Sequence, residues 1–398
     1  MIKRVAITGM GIISSIGSSV EENFNSLITK KHGISCLEIL ETRHQKTFPS
    51  GEIKISNDEL ASQLNWPKDK VFTRSALLGG IAAKEAIQSA GISDISDAKT
   101  GFISATTIGG MDMTEKYYQS FWKNDLSHAY IEAQHAGYST DKIAEFLGIN
   151  GFVTTISTAC SSAANAIILG ARMIQAGKLD RAIVGGADCL SKFTLNGFNT
   201  LMILSDEHCR PFDKNRKGLN LGEAAAYLVL ESDDLVKQKN KKPLAYLSGF
   251  GNANDAFHQT ASSSTGKGAF LAMEKALETA NFEPEQIDYI NAHGTATPNN
   301  DLSESVAVKR LFGKIPIFSS TKAFTGHTLA AAASVEAVYS ILALQNNLVF
   351  PNLNFGNKME ELNMVPQTEL IEKELKTVLS NSFGFGGNCS SLIFSKSN

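Results

Sequence analysis

Short apolar runs alternate along this chain with longer stretches of helical spacing, and glycine marks the joints. Val5-Ala6-Ile7 runs into Thr8-Gly9-Met10-Gly11, and Ala245-Tyr246-Leu247 runs into Ser248-Gly249-Phe250-Gly251. Both read as an apolar strand, then a small residue and Gly-x-Gly. Helix-rich segments follow, residues 74–89 in one case and 268–280 in the other. Next comes a strand leading to a polar turn, residues 101–107 and 287–295. A strand, turn and helix come after it. In the first copy Phe152-Val153-Thr154-Thr155-Ile156 predicts a buried strand, and residues 163–175 predict a buried helix closed by Gly177. In the second copy Ile317-Phe318-Ser319-Ser320 leads past Lys322 and His327 to an alanine-rich helix. Hydrophobic strands close each half: residues 182–186 and 225–230, then 377–380 and 392–394.

The chain therefore reads twice, as residues 1–243 and 244–398. Alternating strands and helices predict mostly parallel sheets covered by helices. Two such units back to back predict a five-layered α/β/α/β/α body with a site at their junction. The charged run Lys237-Gln238-Lys239-Asn240-Lys241-Lys242-Pro243 marks the seam and reads as a solvated connector. Residues 107–138 and 190–218 break the duplication and read as irregular caps or interface segments. Ser14 stands where a dinucleotide fingerprint would need its third glycine, so Gly9-Met10-Gly11 is weak support for such a site.

Bulk composition narrows the function. With 398 residues, 43% of them hydrophobic, the chain can build a large core. A net charge of −3 without a basic run gives no reason to expect nucleic acid or an anionic membrane. Five scattered cysteines with no CxxC pair argue against a disulfide framework or a zinc site, and fit a reducing cytoplasm. Lys3-Arg4 before an apolar run looks like the start of a signal peptide, but Thr8, Gly9 and Gly11 break that run early. No stretch is expected to span a membrane.

Three side chains carry candidate chemistry. Cys160, in Ser157-Thr158-Ala159-Cys160-Ser161-Ser162-Ala163, falls between a strand and the start of a helix. Unpaired amide groups and the helix dipole favour a thiolate there. His293 stands just past a strand, and His327 at the start of a helix. Each alone could be a packed, hydrogen-bonded residue. Three at matching junctions of a duplicated chain point to one site near the pseudo-twofold axis.

The motifs Thr158-Ala159-Cys160-Ser161-Ser162, Arg210-Pro211-Phe212-Asp213 with Leu221-Gly222-Glu223, His293-Gly294-Thr295-Ala296-Thr297, Thr321-Lys322 with Thr325-Gly326-His327, and Asn381-Ser382-Phe383-Gly384-Phe385-Gly386-Gly387 occur in that order. Together they make the chain resemble the type II β-ketoacyl-acyl-carrier-protein synthases, elongating condensing enzymes with the thiolase fold. The resemblance covers essentially the whole chain. It implies that Cys160 takes an acyl group from a carrier thioester, and that the N–H groups of Cys160 and Phe385 form an oxyanion hole. It gives His293 and His327 the malonyl thioester carbonyl and its decarboxylation, supported by Lys322 and Glu336. Thr295 and Thr297 would bind the phosphopantetheine arm. Phe385, flanked by Gly384 and Gly386, would be a gate, residues 255–268 a second mobile loop, and Ile108 and Phe198 the acyl pocket, with Ile108 reaching across a dimer interface.

The same resemblance implies an acyl-carrier protein as partner, no metal and no separate cofactor. It also implies a dimer, homomeric or paired with a second ketosynthase-like subunit. Ala163, Ala330 and Ser334 replace glycines usual in the family, Ala296 stands where glycine or serine is common, and Asn388-Cys389 replaces its Thr-Asn. The substitutions predict tighter packing, and Cys389 a small neutral neighbour. The expected reaction is decarboxylating condensation in fatty-acid elongation. A type II polyketide or aryl-polyene ketosynthase is the alternative. A non-catalytic chain-length factor would lack the nucleophile. An initiating synthase would carry asparagine at His327, a thiolase a cysteine in the last glycine loop, and a serine hydrolase a G-x-S-x-G elbow.

Overall fold

The computed structural model describes residues 4–67, 71–122, 125–360 and 363–396. Lys3 of the charged N-terminal pair, and residues 123 and 124 of the first cap, lie outside them. The first half supplies β1 (Val5–Ser14), β2 (Thr100–Ala105), β3 (Val153–Ile156), β4 (Arg181–Asp188) and β5 (Ala224–Ser232). The second supplies β6 (Ala245–Asn254), β7 (Tyr289–Asn291), β8 (Ile317–Ser319), β11 (Thr377–Phe383) and β12 (Asn388–Ser395). A separate ribbon pairs β9 (Leu348–Val349) with β10 (Ile371–Glu372).

The duplication is explicit in the strand order. One half runs β3-β2-β4-β5-β1, and the other runs β8-β7-β11-β12-β6. Strand for strand these are the same topology. The halves join edge to edge where Val5, Ala6 and Ile7 of β1 pair antiparallel with Leu247, Tyr246 and Ala245 of β6. The expectation of mostly parallel sheets needs correction. β2, β3 and β4 are mutually parallel, but β5 runs back between β4 and β1 and pairs antiparallel with both. The long excursion after β4 stays at the end where β4 finishes, so β5 starts there, with Ala224 paired to Asp188.

Helices fill the layers. Ser162–Gln175 and Ala332–Asn346 lie between the two half-sheets in one shared apolar core. Arg74–Ser89 covers the outer face of the first half, and Lys267–Ala280 that of the second. The repeated Gly-x-Gly pairs explain how these outer helices come so close. A Cβ on Gly9 or Gly11 would stand 2.3 or 2.2 Å from the carbonyls of Ala86 or Ala82. On Gly249 or Gly251 it would stand 2.3 or 2.1 Å from those of Ala276 or Ala272. These glycines are packing surfaces for helices, not a dinucleotide cradle.

Other expectations shift. Residues 153–156 are half-buried, because β3 is a sheet edge with β2 as its neighbour. The first cap is largely helical, with Met111–Tyr117 and Asp125–Glu132 within it, whereas the second holds helix Lys192–Thr200 and is irregular beyond it. The charged seam is more than a solvated connector. Lys239 meets Asp97 at 2.8 Å, and Lys241 meets the buried Glu231 at 2.9 Å. Leu329–Asn346 is long and apolar enough to cross a membrane, contrary to expectation, but 89% of it is buried inside the protein.

Overpacking a contact of this kind costs about 1–3 kcal/mol. Gly251→Ala should therefore lower the melting temperature by several degrees in calorimetry. Gly313→Ala, whose Cβ would meet nothing within 4 Å, should not. Equal melting temperatures for the two variants would refute the packing role.

Candidate active site

The parallel strands of both halves deliver their C-terminal ends to one place, where open α/β sheets bind ligands. β3 ends at the Cys160 turn, β7 at His293, β8 at Lys322 and His327, and β11 at Phe383. Three of these turns hold a non-glycine residue in the left-handed region: Ala159 (φ 53°), Ala296 (φ 64°) and Leu329 (φ 54°). Such backbone costs roughly 1–2 kcal/mol per residue and persists where its surroundings enforce it. Ala296 is thus strained rather than merely tighter packed, whereas Ala163, Ala330 and Ser334 are fully buried as expected.

Buried carboxylates hold the turns by their backbones. Asp188 accepts N–H groups of Thr107, Ile108 and Ala330 and both hydroxyls of Thr106 and Thr107. Glu304 accepts the N–H of His293 at 2.9 Å and of Gly294 at 2.8 Å, and burial pushes its carboxyl up to about 7. Asp301 accepts from Phe212 and Ala296. Glu223 clamps Arg74 through both oxygens and accepts the N–H groups of Ile53 and Leu190. Sequence reasoning quoted Glu223 only as part of a motif and missed Asp188, Asp301 and Glu304. Acidic residues three apart, just after the His293 turn and at the start of helix Pro298–Leu311, were the available signal.

At the centre, Cys160 Sγ and ring nitrogens of His293 and His327 lie within 4.8 Å of one another. All three residues are buried. The two imidazoles meet edge to face, their centroids 5.4 Å apart. Lys322 Nζ contacts the Glu336 carboxylate, the His293 carbonyl at 2.5 Å and His293 Nδ1 at 3.3 Å. Glu336 is the sole charged residue of helix Ala332–Asn346, and burial raises it to about 7. Burial first, then the Lys322 charge, pushes both histidines well below 6.5, so both rings are neutral. His327 Nδ1 accepts the Leu329 N–H at 3.1 Å, and His293 Nδ1 faces the Lys322 ammonium. Each neutral ring therefore carries its proton on Nε2.

That tautomer bears on metal binding. The Cys–His–His spacing is within reach of a metal, but a ligating imidazole donates its second N–H to an acceptor. Here each Nδ1 faces a donor, which opposes a metal. Cys160 also differs from expectation. Burial pushes its thiol up to about 11, although Lys322 and the N–H groups of Phe385 and Cys160 pull the other way. Desolvation outweighs the helix terminus, so the resting group is a thiol.

Two cavities meet at Cys160. One, of about 300 Å³, is lined by His293, His327, Thr295 and Thr297, with Asp255 and His258 also in its wall. The other, of about 520 Å³, is lined by Ile108, Met111, Phe193, Phe198, Leu201 and Leu329. Phe198 and Phe385 line both and stack at 5.9 Å, forming the partition. Ile108 lines this second cavity together with Phe198. Gly386 has φ 78°, and its N–H donates to the Gln259 carbonyl at 2.7 Å. The expected second loop is thus fastened to the glycine loop. Cys389 lines the first cavity, and burial pushes its thiol up to about 12, which keeps it neutral.

The arrangement offers a thiol, two neutral N–H donors and two backbone N–H donors around one point. Nitrogen-15 spectra of the rings should show both histidines neutral, protonated on Nε2, at about pH 6, where a free histidine is largely charged. Ring signals titrating with a midpoint near 6.5 would contradict that electrostatic account.

Comparison with known proteins agrees with this architecture. The profile for the β-ketoacyl synthase N-terminal domain matches residues 2–235, and that for the C-terminal domain matches residues 244–356. The chain is 33% identical to the 3-oxoacyl-[acyl-carrier-protein] synthase 2 of Vibrio cholerae, over 99% of each chain. It superposes on a chain of the ishigamide ketosynthase/chain length factor with a TM-score of 0.93 and 28% identity, covering all of both. It also superposes, with a TM-score of 0.88, 26% identity and complete coverage of both, on a chain of a type II PKS acyl-carrier protein in complex with its ketosynthase bound to the hexaketide. The chain belongs to the β-ketoacyl synthase family.

Proposed function

We propose that this chain is an elongating β-ketoacyl-acyl-carrier-protein synthase that condenses an acyl group with malonyl-acyl-carrier protein. The observation that carries the reading is the pair of cavities meeting at Cys160, one walled by the two histidines and the other largely apolar. Cys160 Sγ attacks the acyl-carrier thioester. The phosphopantetheine thiol leaves with the proton, and the acyl chain occupies the apolar cavity. A thiol suits this exchange, because thioester and thiol are close in energy. The N–H groups of Cys160 and Phe385 receive the developing oxyanion.

Malonyl-acyl-carrier protein then enters past Thr295 and Thr297, whose hydroxyls bind the phosphopantetheine arm. His293 and His327 donate from Nε2 to the malonyl thioester carbonyl. As carbon dioxide leaves, that oxygen takes the enolate charge. The enolate carbon attacks the acyl carbonyl and Cys160 leaves as thiolate, which then takes a proton. Lys322 and Glu336 set the electrostatics and do not touch substrate. Phe385 moves between the two loads. The residues need no metal and no cofactor beyond the carrier's arm. The halves divide at residues 243 and 244.

The active species is a dimer, which covers the exposed Trp122, Met202 and Phe193 and the open edge of β3. The ishigamide relative, a ketosynthase/chain length factor, supports a second reading in which the partner is a related subunit of a polyketide-type system. Native mass spectrometry of the isolated chain separates them. A homodimer that condenses unaided supports fatty-acid elongation. A chain active only with a second subunit supports the other reading.

Cys160→Ala should abolish the covalent acyl mass on incubation with acyl-acyl-carrier protein, yet still release carbon dioxide from malonyl-acyl-carrier protein. His293→Ala should lower that release by about 100-fold or more, the scale of losing a positioned donor. Undiminished condensation in either variant would sink the assignment.

A further inference from the structure

Asn388 opens β12, directly after the glycine loop that carries Phe385. Its carbonyl accepts the Gly384 N–H at 2.8 Å and so closes the base of that loop. Its side-chain Oδ1 faces the nucleophile turn. It accepts from Ser161 Oγ at 2.7 Å, Asn165 Nδ2 at 2.9 Å and Asn252 Nδ2 at 2.9 Å. Asn165 Nδ2 continues to Thr158 Oγ1 at 2.8 Å, and Ser161 Oγ also reaches the Thr158 carbonyl at 2.8 Å. Thr158 and Ser161 bracket Ala159 and Cys160. The two elements touch directly as well: a Cβ on Gly384 would stand 2.9 Å from the Thr158 carbonyl and 3.1 Å from Cys160 N.

An oxyanion hole made by Cys160 and Phe385 draws its two donors from opposite halves of the chain. Nothing in either loop alone fixes their separation. We infer that Asn388 is a positioning residue that holds the N–H groups of Cys160 and Phe385 at the spacing an oxyanion requires. It does so with its carbonyl on one loop and its carboxamide oxygen on the other. The inference rests on the proposed acyl transfer to Cys160.

The test separates oxyanion binding from nucleophile reactivity. Asn388→Leu is mixed with saturated acyl-acyl-carrier proteins of several lengths, and single-turnover acylation of Cys160 is followed by intact mass. The same variant is alkylated with iodoacetamide, a displacement that forms no oxyanion. Maximal acylation should fall about 100-fold, the scale of one lost oxyanion donor. Half-saturation by the donor should stay unchanged, and alkylation should stay within about threefold of wild type. Ser161→Ala, which cuts the link from its other end and leaves Asn388 two donors, should show the same split and serves if Asn388→Leu does not fold. Unchanged acylation, or acylation and alkylation falling together, overturns the inference. A wild-type protein that accepts no acyl group would instead overturn the proposed function, and this inference with it.

Discussion

One buried ammonium group sets the chemistry of this site. Lys322 is 3% exposed and lies between the Glu336 carboxylate and the backbone and ring of His293. A cation there is tolerable only because a carboxylate from the central helix meets it. Burial is the larger cause of the neutral imidazoles, and the ammonium adds to it and directs the His293 proton to Nε2. That cation also draws the Cys160 sulfur toward thiolate, against burial. The same arrangement that makes the rings neutral donors makes them poor metal ligands. Electrostatics and tautomer are therefore fixed before any substrate arrives, which is what preorganised catalysis requires.

Duplication supplies the geometry. Each half sends the ends of its parallel strands to the junction, and the strands stop in turns too sharp for ordinary backbone. Ala296 and Leu329 keep left-handed conformations in turns that Asp301, Glu304 and Asp188 hold by their backbones, and Ala159 keeps its own in a turn held by the Ser161 and Ser162 hydroxyls. Strain is thus spread over three turns from both halves. A site assembled this way has few intrinsic links between its parts, which gives the Asn165, Asn252 and Asn388 network its importance.

Much of this was legible in the sequence. The periodicity placed helix Arg74–Ser89 and both central helices, and the repeated Gly-x-Gly revealed the duplication. Cys160, His293 and His327 were recognisable because reactive side chains stood at matching junctions. What stayed hidden depends on pairing across long sequence distance. Periodicity does not say that β5 runs backwards, because an apolar strand buried on both faces reads alike in either direction. Nor does it say that β3 is an edge. Asp188, Asp301 and Glu304 read as ordinary acids until the turns they hold are seen. The thiol of Cys160 was misjudged because a strand-to-helix turn shows the helix dipole but not the depth of burial.

The central claim is that one junction both holds an acyl group and decarboxylates malonyl to extend it. Its most direct test is to supply acyl-acyl-carrier protein with malonyl-acyl-carrier protein labelled in its free carboxyl, and to count both products. The account predicts one labelled carbon dioxide for each β-ketoacyl-acyl-carrier protein, with none of the label in that product. Label retained in the extended chain, or carbon dioxide released without any extended product, would contradict it.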